Sequence, residues 1–187
     1  MILKSYIVEK NPHVLEEYQA SLFYGENDGI KEDIRTQLKK HNKSAEIINL
    51  FELEILKNRN ILFENIFNVS LFNEKKIIFI HMATEKILNE ILECLEKNNK
   101  DVKVYIFSDL LDKKSKLRNL FEKNKNLAIL ACYADNDRTL IDYISRKLYG
   151  YKGVTGELIN LIITNSGSNR KIIQNEIIKI KDFFIDK

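Results

Sequence analysis

Up to Tyr133, short apolar runs alternate with longer amphipathic stretches. Ser21–Gly25 (SLFYG), Ala45–Phe51 (AEIINLF), Lys76–His81 (KIIFIH), Val102–Phe107 (VKVYIF) and Leu127–Tyr133 (LAILACY) read as buried strands. Between them apolar residues recur at helical spacing. Asn27 or Asp28 caps a helix carrying Ile30, Ile34 and Leu38 on one face. The stretch from Glu52 to Phe72 is helical in part, with Leu62/Ile66 and Phe63/Phe67 as i, i+4 pairs. Thr84 caps a helix bearing Ile87, Leu88, Ile91, Leu92 and Leu95, and Asp112 starts one with Leu117, Leu120 and Phe121. Such alternation predicts an α/β fold: a mostly parallel, five-stranded sheet with helices on both faces, joined by right-handed crossovers.

After Tyr133 the strand pattern stops. Asp135-Asn136-Asp137 caps a helix with Leu140, Ile144 and Leu148 that ends at Gly150. Thr155 caps the next, with Leu158, Ile159, Ile162 and Ile163, ending near Gly167. Ser168 caps the last, with Ile173, Ile177, Ile180 and Phe184. Residues 1–134 are thus expected as an α/β domain and 135–187 as a small helical domain.

Composition narrows the class. Two cysteines, Cys94 and Cys132, exclude a disulfide scaffold. No run approaches the ~20 apolar residues of a membrane span, and MILKSYIVEK lacks a signal-peptide core. The expectation is a reduced, cytoplasmic protein with no membrane partner. The net charge of +3, from 30 basic against 27 acidic side chains, is too balanced to argue nucleic-acid binding by itself.

The turn after the first predicted strand is where a doubly wound sheet would bind phosphate. A working phosphate loop reads G-x-x-x-x-G-K-[ST]. Counted from Gly25, the second glycine position is Ile30, and Glu32 stands where a hydroxyl would hold magnesium. Glu26 and Asp28 would oppose phosphate charge. Gly150-x-x-Gly153-x-x-Gly156 follows a helix and is no dinucleotide fingerprint. Asp109 and Asp112 read as turn and cap residues. His13, His41 and His81 show no ligand spacing, so neither a metal nor another cofactor is expected. Cys132 reads as a small core residue, and Cys94 has no His near it in sequence. The cluster Lys113-Lys114-Ser115-Lys116-Leu117-Arg118 is either a solvated helix face or a phosphate contact.

Asn68-Val69-Ser70-Leu71-Phe72, followed by Lys75-Lys76 and a strand, is the most informative stretch. Leu71 and Phe72 are either core or a wedge projecting together from a helix-to-loop junction into a partner. With these residues, Phe23-Tyr24-Gly25-Glu26-Asn27-Asp28, Ser108–Leu117 and Leu140-Ile141-Asp142-Tyr143-Ile144, the chain resembles the delta subunit of bacterial DNA polymerase III. That family forms the wrench of the sliding-clamp loader.

The resemblance implies an AAA+-like sheet of strand order 5-1-4-3-2 with a degenerate phosphate loop, a helical lid and a collar. The collar would follow Lys187, so the sequence is read as a fragment. It implies binding to the β sliding clamp, opening of that ring for loading onto DNA, and no intrinsic ATPase. Delta prime and gamma/tau would be further partners, and DNA would be met through the loader. Clamp-binding peptides of the form Q-L-[SD]-L-F align with Asn68, Val69, Ser70, Leu71 and Phe72, with Asn68 and Val69 departing from Gln and Leu. The competing reading is a nucleotide-binding enzyme with a variant phosphate loop.

Overall fold

The structure is a computed structural model that describes residues 1–68, 75–96 and 99–184. The order of elements is β1 (Ile2–Leu3), α1 (Ser5–Lys10), a 3-10 turn (Pro12–Glu17), β2 (Ala20–Tyr24), α2 (Asp28–His41), β3 (Glu46–Phe51), α3 (Glu52–Lys57) and α4 (Asn60–Phe67). There follow β4 (Lys76–His81), a 3-10 turn (Glu85–Ile87), α5 (Leu88–Glu96), β5 (Val102–Ser108), α6 (Lys116–Lys123) and β6 (Leu127–Ala131). Three helices end the chain: α7 (Asp137–Lys147), α8 (Gly156–Asn165) and α9 (Arg170–Phe183).

Among the described residues the sheet has six strands in the order β1-β6-β2-β5-β4-β3, every pair parallel. The five strands read from the sequence are β2 to β6. Numbered among themselves they run 5-1-4-3-2, as the resemblance implied. The expectation of five strands is corrected by β1. Two residues carry no periodicity, and β1 exists because β6 offers an open edge: Ile2 registers with Ile129, and Ile129 N donates to Met1 O at 2.9 Å.

Strand alternation sends two sets of side chains to the two faces. Leu22, Ile78, Ile80, Ile106 and Ile129 pack with Ile55, Leu62, Ile66, Ile91, Leu117 and Phe121 of α3 to α6. The opposite set is aromatic. Phe79 lies between Tyr105, with centroids 5.8 Å apart, and Phe107, 5.9 Å away, and Phe107 stacks on Phe23 at 5.0 Å.

The chain divides into two compact units, residues 1–26 with 31–132 and residues 27–30 with 133–187. In the second, Leu140, Tyr143, Ile144, Ile159, Ile163, Ile173 and Ile177 form a separate core. Two caps differ from the sequence reading. Helix α6 starts at Ser115, whose Oγ accepts from Arg118 N at 3.3 Å; Asp112 instead closes the preceding turn by accepting from Ser115 N. Helix α9 is capped by Asn169, whose Oδ1 accepts from Lys171 N and Ile172 N. Ser168 is spent finishing α8, at φ +56° with its N–H on Ile163 O.

Candidate functional site

Of the five residues aligned with clamp-binding peptides, Val69, Ser70, Leu71 and Phe72 lie outside the described residues, and Asn68 is exposed at the end of α4. Leu62 and Ile66 bury α4 against the sheet, and the Phe63 and Phe67 rings pair at 4.3 Å. A helix leaves its last carbonyls without intrahelical donors. Here Lys76, at the head of β4, supplies them: Nζ donates to Asn65 O at 2.9 Å and to Asn68 O at 2.7 Å. Glu46 Oε2 lies 3.6 Å from the same amine, and Asn99 Nδ2 donates to Ile66 O at 3.3 Å. Lys76 is buried, and its bond to Asn68 joins the two ends of the intervening stretch. The sequence reading named the Lys75-Lys76 pair without a role. A lysine in phase with Ile78 and Ile80 was the available signal, because strand alternation sends all three to one buried face.

In the first unit, the turn after β2 is stitched to neighbouring strands. Gly25 has φ +129°, and a Cβ there would overlap the Cys132 carbonyl. Its N–H donates to Asp109 O at 3.2 Å, and Cys132 N donates to Tyr24 O at 2.7 Å. Lys31 is buried, with Nζ donating to Ser108 O at 3.2 Å, while Ser108 Oγ donates to Ala83 O at 2.6 Å. The lysine beside this turn is therefore tied to the end of β5.

In the second unit, Asn27 Oδ1 accepts from Ile30 N at 3.1 Å, and Nδ2 donates to Asp135 Oδ2 at 2.7 Å. Arg170 Nη1 donates to both Asp135 oxygens, at 3.1 and 3.3 Å, and the guanidinium lies 4.0 Å from the Tyr143 ring centroid. Gly29 faces the Arg170 stem so closely that a Cβ would sit 2.8 Å from its Cβ and Cγ. Sequence reasoning placed Asp135 only as a cap and passed over Arg170. Nothing in local spacing links residues so far apart.

The other candidates separate. Arg118 leaves the basic cluster: it pairs with Glu122 at 2.8 Å, donates to Leu111 O at 3.2 Å and lies 4.9 Å from the Tyr24 ring centroid. Lys116 instead joins Lys123, Lys125, Asn119, Leu120 and Asn124 along an open groove of ≈ 880 Å³. Asp109 and Asp112 act through their backbone carbonyls, which accept from Gly25 N and from Ser115 N. His13 and His41 meet edge to face at 4.6 Å, yet no group of three or more metal-ligating side chains forms among the described residues. His81 stacks on Phe107 at 5.6 Å and meets Asn49 Oδ1 at 3.2 Å. Burial lowers its pKa, and Arg35 and Lys39 add to that, against Glu32. Cys94 and Cys132 are buried thiols. No helix among the described residues is long and apolar enough to cross a membrane.

No family model matches the chain. A curated protein does: a probable DNA polymerase III subunit delta from Rickettsia prowazekii is 25% identical over 175 residues, covering 90% of this chain and 51% of that protein. Among solved structures, the Bacillus subtilis DNA clamp loader delta protein superposes with a TM-score of 0.65 at 12% identity, covering 98% of this chain and 57% of that one. The chain resembles the DNA polymerase III delta subunit. It spans about half the length of the curated relative it matches. Domain III of the Thermotoga maritima replication initiation protein DnaA superposes at a TM-score of 0.53 and 14% identity, covering 96% of this chain and 80% of that one. Trip13 from Rhizobiales does so at 0.53 and 17%, covering 87% and 66%. At such identities these likenesses speak for the fold, which is AAA+-like.

Proposed function

We propose that this chain is the AAA+-like and lid portion of a clamp-loader delta subunit, which binds the β sliding clamp and holds its ring open for loading onto DNA. The observation that carries the reading is the sequence match to a probable delta subunit over 90% of the chain. The fold likeness to a clamp loader delta protein supports it. On this reading residues 1–134 are the α/β domain and 135–187 the lid. Leu71 and Phe72 are the contact on the clamp, flanked by Asn68, Val69 and Ser70. Delta prime and gamma/tau are the other protein partners, and DNA is met through the assembled loader.

The mechanism is one of binding. A clamp is a closed ring, and a protein that prefers its open interface shifts the ring toward opening by no more than the difference in its two affinities. Nucleotide chemistry then belongs to other subunits. Burying a Leu or Phe side chain contributes about 1.5–3 kcal/mol each. Changing Leu71 and Phe72 together to Ala should weaken clamp binding by roughly 3–6 kcal/mol if the two add, about two to four decades in affinity. If the pair serves the clamp and not the core, the melting temperature should stay within about a degree or two. Clamp titrations and thermal melts of the double variant test this. Heavy loss of stability with unchanged clamp affinity would make the pair core residues and remove the proposal.

A further inference from the structure

We infer that the outer face of α6 and the turn after it form a binding surface for the phosphodiester backbone of DNA, so that this chain touches DNA itself. The inference goes beyond the proposed function, in which DNA is met through the assembled loader, and rests on that reading only in taking the chain to work at DNA.

Residues 113–125 hold six basic side chains and one acidic one, whereas the remainder of the chain holds 24 and 26. The near balance of the whole therefore conceals one basic stretch on a faintly acidic body. The single carboxylate of the stretch, Glu122, is paired with Arg118 at 2.8 Å. Its five lysines, Lys113, Lys114, Lys116, Lys123 and Lys125, are exposed. Among the described residues none of their amines is in an ion pair.

The fold gathers these amines. Leu117 and Phe121 bury the inner face of α6, so Lys116, Asn119, Leu120 and Lys123, three or four residues apart, share one outer side. With Asn124 and Lys125 they line the open groove of ≈ 880 Å³. Lysine and asparagine are donors suited to phosphate oxygens. Both ends of the row are held. Asn119 Nδ2 donates to Lys113 O at 3.1 Å and to Ser115 O at 2.8 Å, which lays Lys113 against the first turn of α6. Asn124 Oδ1 accepts from Asn126 N at 2.9 Å, which fixes the turn carrying Lys125. The start of α6 is already satisfied, because Glu85 Oε1 accepts from Lys116 N and Ser115 Oγ from Arg118 N; the surface is the side of the helix. From Lys116 to Lys123 an α-helix rises about 10 Å, and a DNA strand carries one phosphate per about 3.4 Å of axis. The row thus spans about three consecutive phosphates. A duplex presents its charges at fixed intervals, as the helix does its lysines, whereas an acidic protein segment must order each carboxylate side chain on docking.

The test titrates a short fluorescein-labelled duplex, from about 50 to 200 mM salt, with the parent chain, Lys116→Gln/Lys123→Gln/Lys125→Gln and Lys123→Gln alone. A control of equal charge change, Lys40→Gln/Lys43→Gln/Lys57→Gln, lies at other exposed positions. The parent should bind with an affinity that falls as salt rises and is the same for duplexes of different sequence. The groove triple should weaken binding and flatten the plot of log affinity against log salt by about two to three, and Lys123→Gln by about one. The control should stay near the parent, and all variants should melt within about a degree or two of it, because the changed side chains are exposed. Three results would each overturn the inference: no duplex binding by the parent at about 50 mM salt; equal weakening in the control; or tighter binding of polyglutamate than of the duplex, lost in the groove triple. The last would assign the groove to an acidic protein. Affinity of the groove triple for the cognate β clamp should equal the parent's, so these failures leave the clamp reading standing. That reading falls instead on unchanged clamp affinity in the Leu71→Ala/Phe72→Ala variant.

Discussion

The carbonyl oxygen of Cys132 occupies the space that a Cβ on Gly25 would need. Gly25 holds φ +129° there, with its N–H on Asp109 O, so the ends of β2, β5 and β6 meet at one residue that can carry no side chain. Left-handed backbone costs a non-glycine residue about 1–2 kcal/mol, and overlap in a packed site adds about 1–3 kcal/mol. Gly25→Ala should therefore lose roughly 2–5 kcal/mol in urea denaturation. A loss under half a kcal/mol would mean that the strand ends can part without cost.

The Arg170–Asp135 pair should dominate the stability of the second unit. Both side chains are 3% exposed. Removing one partner of a buried ion pair strands the other and costs about 3–5 kcal/mol. Arg170→Met and Asp135→Asn should each approach that figure, and the double variant should lose less than their sum. Additive losses in a double-mutant cycle would show the two to be uncoupled.

Nucleotide should not bind at the turn after β2. The Lys31 amine is tied to Ser108 O, and Ile30 and Glu32 stand where a phosphate loop needs Gly and a hydroxyl. Titration with labelled ATP and magnesium is expected to give no saturable binding in the micromolar range. ATP at a hundredfold excess over a real dissociation constant would stabilise the fold by about 2.7 kcal/mol, so an unchanged melting temperature is the second readout.

His81 should make stability fall in mild acid. Its folded pKa lies below the ordinary 6.5, through burial and then Arg35 and Lys39. The unfolded chain therefore binds the proton first. The stabilisation is complete above about pH 6.5, declines as the pH drops below that value, and levels off once the folded pKa is passed. His81→Gln, which can keep a bond to Asn49, should show a shallower loss of melting temperature than the parent between about pH 7.5 and 5.5. Identical slopes would remove His81 from the acid response.

Local pattern revealed the strands because each is an apolar run bounded by polar turns, as in Lys76–His81 and Leu127–Ala131. The helices showed through periodicity, as with Ile30, Ile34 and Leu38, all buried as read. The edge strand Ile2–Leu3 did not show, because its only cause is a partner more than a hundred residues away. Ser168 and Asn169 illustrate the limit for caps: both residue types can cap, and the choice turns on how α8 ends. At the candidate site the apolar pair Leu71-Phe72 stood out locally, while Lys76 and Arg170 acquire their roles only when the fold brings carbonyls and a carboxylate to them.

The position of β2 in the middle of the sheet bears on how the chain is made. Ala20 registers with Val104 on one side and Leu127 on the other, so both partners of this strand are synthesised long after it. At translation rates of about 5–20 residues per second, β2 would wait roughly 4 to 17 seconds for its first neighbour. Over that interval an almost wholly apolar strand, Ala20–Tyr24, has two bare hydrogen-bonding edges, the condition that invites pairing with another chain. β3 and β4 can pair with each other meanwhile, but the sheet closes only when Leu127–Ala131 has emerged. A nascent chain stalled after Ser108 should therefore be a better chaperone client than one stalled past Ala131.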